Sequence, residues 1–146
     1  MRPQTRKTRI LTVTIFLGAA AAHAAAAADG PQEGWRAEGF DRPESVVFDN
    51  ARNALYVSNV GAEGNGESGQ GYISKLTAGG EVTGAQWVTG LNGPKGVAVH
   101  GDRLYVSNID RLVVIDIAAG EIAEAYDAPD AQFLNDVAAD GEGRVL

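Results

Sequence analysis

Beyond residue 30 the apolar positions come in short runs separated by polar turn residues, and no segment holds a convincing helical period. Val, Ile, Leu and Tyr fill the runs, as a pleated, half-buried strand favours. The pattern predicts strands over Ser45–Phe48, Ala54–Asn59, Gly71–Thr77 and Ala85–Thr89. A second set is predicted over Gly96–His100, Arg103–Asn108, Leu112–Ile117 and Glu121–Tyr126, and a third begins with Asp136–Ala139 and Arg144–Leu146. Asp49-Asn50, Gly79-Gly80, Gly101-Asp102, Ala119-Gly120 and Asp140-Gly141 supply the turns. Ala118–Tyr126 has a weak helical alternative, but Gly120 and the place of the segment in the series favour a strand.

The series is a repeat. Leu55-Tyr-Val-Ser-Asn59 recurs as Leu104-Tyr-Val-Ser-Asn108. Ahead of the two copies stand Pro43-Glu-Ser-Val-Val-Phe-Asp49 and Pro94-Lys-Gly-Val-Ala-Val-His100, and Leu134-Asn-Asp-Val-Ala-Ala-Asp140 opens a third unit. Val46 to Val97 spans 51 residues and Val97 to Val137 spans 40, the difference being a glycine-rich insert from Gly61 to Gly71. Four strands per unit at this spacing predict an all-β chain built from β-propeller blades. Blade 1 falls at about 40–90, blade 2 at about 91–130, and 131–146 begin a third, with 25–39 as a linker. A ring needs at least about four blades, so the chain is expected to be the N-terminal portion of a longer protein. Assembly of several copies into a ring is the lesser alternative.

The N-terminus carries a different signal. Arg2, Arg6, Lys7 and Arg9 precede an apolar run from Ile10 to Ala22, and Ala22-His23-Ala24 is a small-x-small site. This is the order of a cleaved secretory signal peptide over residues 1–24. The apolar run is shorter than the roughly 20 residues of a membrane span, so no membrane attachment is expected after cleavage. A periplasmic or secreted location follows. Among the 146 residues there is no cysteine to acylate, to oxidise or to bind metal. Removing the signal leaves 8 Lys and Arg against 19 Asp and Glu, a net charge of −11. That balance argues against a nucleic-acid partner, whose phosphates require clustered cations.

In a propeller the first strand of each blade lines the central channel. Aligning the units places Glu44, Lys95 and Asn135 at one level and Ser45, Gly96 and Asp136 at the next. Polar residues at the first level would line a pocket at the channel mouth; the bland alternative is solvated residues preceding each strand.

The opening Pro43-Glu-Ser-Val-Val-Phe-Asp49, followed by Leu55-Tyr-Val-Ser-Asn59, resembles the first blade of the regucalcin and gluconolactonase family, the luciferin-regenerating-enzyme-like propellers. Phe133-Leu-Asn-Asp136 before Gly141-Glu-Gly-Arg144 resembles that family's Asn-Asp stretch. The resemblance implies a six-bladed propeller holding one divalent metal, Ca²⁺, Mg²⁺ or Mn²⁺, that polarises a lactone or ester carbonyl and activates water. It makes Glu44 and Asn135 metal ligands, and Asn135 and Asp136 the catalytic pair. Hard oxygen donors suit these ions. Phe133 stands where the family often has arginine, and Lys95 is awkward beside a cation.

Other motifs lead nowhere. Gly64-Asn-Gly-Glu-Ser-Gly69 has glycine spacing reminiscent of a dinucleotide site, but it runs into a strand and carries carboxylates that repel phosphate. His100 is the mature chain's only histidine and has no paired nucleophile. Trp35 and Trp87, with Tyr56, Tyr72 and Tyr105, read as packing residues. Two functions stay open: an exported, metal-dependent hydrolase acting on a small lactone, and a non-catalytic propeller of the cell envelope that binds a ligand or protein. Oligomeric state is not legible. With blade faces left unmatched, residues 25–146 are expected to melt broadly and to aggregate on heating; a sharp, reversible calorimetric transition of a soluble monomer would contradict this.

Overall fold

A computed structural model describes residues 33–61 and 69–146; the expected signal segment and most of the glycine-rich insert lie outside them. Eight strands form two antiparallel four-stranded meanders, each in sequence order. Blade 1 comprises β1 (Pro43–Asp49), β2 (Ala54–Asn59), β3 (Gly71–Thr77) and β4 (Val82–Leu91). Blade 2 comprises β5 (Pro94–His100), β6 (Arg103–Asn108), β7 (Arg111–Asp116) and β8 (Glu121–Asp127). The helical alternative over Ala118–Tyr126 is thereby replaced by a turn and β8. The third unit does not reach sheet form: Ala139 and Val145 make an isolated bridge, and Ala138 and Leu146 exchange two backbone hydrogen bonds of 2.9 Å.

Turn chemistry closes the hairpins. The Asp49 carboxylate accepts the amides of Ala51 and Arg52, and the Asp140 carboxylate those of Glu142 and Arg144. Asp116 likewise accepts from Ala118 and Ala119, and the Ala119 amide leads the causes that hold its carboxyl below the usual range. Each is an Asx-type turn in which aspartate substitutes for a backbone acceptor.

The core lies between the two blades. Tyr56, Ile73, Val88 and Leu91 of blade 1 cluster with Val97, Leu104, Val106, Val113 and Ile115 of blade 2. Tyr56 and Trp87 stack with ring centroids 5.1 Å apart. By register, Val46 pairs with Val57, and Phe48 with Leu55 and Leu55 with Leu76, on the opposite face of blade 1. These match Val97, Val106, Val99 and Leu104 in blade 2, which blade 1 covers. In blade 1 the corresponding face stays open, with Val46 60% and Phe48 48% exposed. Trp35 and Phe40, ahead of β1, lean over it. Trp35 packs on Gly80, where a Cβ would come within 2.6 Å of the indole, and an open cavity of about 310 Å³ lies between Trp35, Phe40, Val46 and Leu55.

Three polar joints accompany the apolar packing. The fully buried Ser58 hydroxyl accepts the Ser45 amide (3.1 Å) and donates to the Lys95 carbonyl (2.6 Å) across the blade boundary. Ser107, its repeat partner, donates to the Asn135 carbonyl (3.0 Å) across the next boundary. Arg52 joins the outer turns: it bonds the Asp49 carboxylate (2.9 Å), the Gly101 carbonyl (3.0 Å) and the Asp102 carboxylate.

Two single variants separate the joint from mere burial. Ser58→Ala leaves the Lys95 carbonyl and Ser45 amide unpaired in the interior, an expected loss of about 1–3 kcal/mol in urea unfolding. The Tyr56 hydroxyl, by contrast, is buried with no hydrogen-bond partner among the described residues. Tyr56→Phe removes that unpaired group and is expected to leave stability unchanged or raised in the same measurement.

Candidate functional site

The inner strands β1 and β5 begin alike. Each starts on a proline, and the residue before that proline has positive φ: Arg42 at 54° and Gly93 at 105°. Asn59 and Asn108, the last residues of the repeated pentapeptide, hold these entries in place. The Asn59 side-chain oxygen accepts the Asp41 amide (3.0 Å), and that of Asn108 accepts the Asn92 amide (2.9 Å). The Asn59 amide group is spent on the Val57 carbonyl and the Ser74 hydroxyl. Both copies thus anchor the chain two residues ahead of the proline.

Immediately past each proline the strand bulges. Pro43 pairs with Asn59 and Ser45 with Ser58, so Glu44 is the extra residue. Pro94 pairs with Asn108 and Val97 with Val106, so the Lys95–Gly96 step carries one extra residue. A bulge interrupts the alternation of a strand and re-aims a side chain, which is why bulges gather beside binding sites. The level inferred from the repeat, Glu44 with Lys95, is therefore a level of bulges.

Asn135 takes the third position through its backbone. Its carbonyl accepts the Gly96 amide (2.8 Å) and the Ser107 hydroxyl, while the preceding Leu134 donates its amide to the Ile109 carbonyl at 2.7 Å. Ile109 has a φ of 63°, a conformation that costs a β-branched residue of order 1–3 kcal/mol. Gly96 admits the third unit closely: a Cβ there would lie 2.7 Å from the Asp136 Cα.

The side chains at this level differ sharply. Glu44 and Asn135 are exposed, as is Asp136, whose carboxylate accepts the amide of its neighbour Val137 (3.0 Å). Lys95 is buried, with 8% of its surface exposed. Its ammonium sits 4.5 Å from the centroid of the Phe133 ring, and no carboxylate among the described residues pairs with it. Among the described residues, no three His, Asp or Glu side chains converge on one point. One carboxylate and one amide, with a lysine between them in the ring of equivalent positions, do not fit a tightly held divalent ion, which takes six or more oxygens when it is calcium. His100 lies against the third unit, its Nε2 3.0 Å from the place a Gly143 Cβ would occupy. Reading the sequence for chemistry passed over Ser58, Asn59, Ser107 and Asn108. The signal was present, since polar residues repeated identically at the end of a buried strand mark a structural duty.

No family model and no curated protein match the sequence. Solved structures do match its shape. A chain of the nidogen/laminin complex aligns over 70% of this chain with a TM-score of 0.53 and 16% identity. Kuenenia stuttgartiensis hydrazine synthase aligns over 78% with a TM-score of 0.55 and 19% identity. Both are propeller-type proteins. The chain is a partial β-propeller. It spans 38% and 31% of those two chains, about a third of each. At such identity the likeness is one of fold, and it does not extend to the gluconolactonase family.

Gly96 offers a direct check on how the third unit is seated. Gly96→Ala is expected to displace residues 134–137 from blade 2. Amide hydrogen exchange should show faster exchange at Leu134 and Val137, with β2 and β3 of blade 1 unchanged.

Proposed function

We propose that this chain is the channel-forming part of a ligand-binding β-propeller without catalytic activity of its own. The observation that carries this reading is Lys95: a largely covered lysine with an unpaired ammonium among the described residues, set on a bulge, at the repeat position where a metal site would require a donor. Binding needs complementary groups at fixed positions, and the proline, bulge and asparagine anchor supply them in two successive blades. The nidogen/laminin neighbour supports a binding role at the level of fold, since it is a propeller seen in complex with another protein. The basic and apolar run over residues 2–22 supports export to the periplasm or beyond.

A second reading is the metal-dependent lactone hydrolase that the resemblance to gluconolactonases implies. Glu44 favours it, as an exposed carboxylate on the first-blade bulge. In that reading Asn135 and Asp136 would sit beside substrate, and Ca²⁺, Mg²⁺ or Mn²⁺ would supply Lewis acidity.

Gluconolactone hydrolysis by the full chain, with and without a chelator, distinguishes the two. The binding reading predicts a rate equal to the buffer blank under both conditions. Chelator-sensitive hydrolysis that Glu44→Ala abolishes would overturn it in favour of the hydrolase.

A further inference from the structure

We propose that Lys95 is the recognition group of the channel mouth and that it takes the carboxylate of an organic monoanion whose apolar body lies against Phe133; the proposal rests on the binding reading above and deepens it. Lys95 is largely covered along its stem while its ammonium nitrogen keeps contact with solvent; lysines so covered are ordinarily paired. Lys95 is not: it makes no ion pair and its side chain no hydrogen bond among the described residues, and the Phe133 ring at 4.5 Å is the contact that accompanies it. An aromatic face offsets part of the desolvation of a cation but leaves its three N–H donors unused. Those donors face solvent and are open to an anionic ligand.

The surroundings choose the ligand class. A single lysine offers one positive charge, and the exposed Glu44 and Asp136 stand at ring positions of the first and third units. With Glu44 and Asp136 at neighbouring ring positions, each further negative charge on the ligand adds repulsion, so a singly charged carboxylate is favoured over a doubly charged phosphate. Phe133 is 48% exposed although its ring touches the ammonium, so a ligand bound through Lys95 has an apolar surface beside its charged end. The cation itself is placed by the backbone. The Lys95 carbonyl is fixed by Ser58 at 2.6 Å, and the following Gly96 amide by Asn135 at 2.8 Å. The bulge that contains Lys95 is thus bonded on both sides, which is preorganisation of the kind that raises affinity.

The test uses the full chain and three probes: benzoate, the isosteric neutral benzamide, and inorganic phosphate. Nuclear magnetic resonance titration should show saturable benzoate-induced shifts at the amides of Lys95, Gly96 and Asn135. Benzamide should produce none, and phosphate should bind at least tenfold more weakly than benzoate. Lys95→Met, which keeps the apolar stem, should fold with an equal or higher melting temperature and lose benzoate binding at least tenfold. Lys95→Arg should retain binding, and Phe133→Ala should weaken benzoate more than it weakens acetate. Equal benzoate binding by wild type and Lys95→Met, equal binding of benzamide, or tighter binding of phosphate than of benzoate would each overturn the assignment. Chelator-sensitive hydrolysis with intact benzoate binding would remove the non-catalytic reading and leave Lys95 as the carboxylate group.

Discussion

A hydroxyl-to-carbonyl bond across a blade boundary is the contact on which the arrangement of this chain turns. Ser58 reaches from the second strand of blade 1 to the first strand of blade 2, and Ser107 repeats the reach toward the third unit. Hydrophobic packing between blades is strong but non-directional, and two sheet faces lined with Val, Ile and Leu can slide past one another. A buried hydroxyl with one acceptor has no such freedom, because leaving either partner unmet costs more than the bond contributes. The serine therefore fixes the register of blade on blade, and the neighbouring asparagine fixes the entry of the strand that follows. The channel-side positions inherit their placement from these two residues.

Much of this architecture was legible in the sequence because the chain repeats. Strands β2, β3 and β6 fall on the residues expected, since each lies inside an alternation bounded by clear turns. Strand β4 runs over Val82–Leu91, well beyond the Ala85–Thr89 expected, because its pairing with β3 slips at three places and polar residues join it. The third unit was expected to hold two strands and holds only isolated bridges, Ala139 to Val145 within it and Leu134 back to Ile109: a strand is a cooperative ladder, and these pairings stay too short to form one. The alignment of units put Glu44, Lys95 and Asn135 at one level; bulges carry the first two, and Lys95 and Asn135 each offer a carbonyl to a serine of the preceding blade. Their environments were not legible. Nothing in the local sequence distinguishes an exposed Glu44 from a covered Lys95, since the groups around Lys95 come from other elements, Ser58 of β2 and Phe133, thirty-eight residues further on.

Several features here work against stability and gather in one place. Lys95 is largely covered with no carboxylate partner among the described residues, Ile109 holds a left-handed backbone, and Arg42 does the same before a proline. Strain and unpaired charge concentrated at one end of a fold are the usual mark of positions kept for recognition rather than for folding. The opposite face of blade 1 contrasts with them: its apolar residues are ordinary, and Trp35 leans over part of them from the segment ahead of β1.

The serine joints also have a consequence for change over time. Ser58 and Ser107 grip the main-chain oxygens of Lys95 and Asn135, atoms that every amino acid possesses. The serine joints therefore do not depend on which side chain stands at either position, although the Lys95 side chain also meets Phe133 of the third unit. A mutation there can exchange a cation for an amide or a carboxylate while the scaffold keeps its register, so new ligand preferences can be sampled one residue at a time without first repairing the fold.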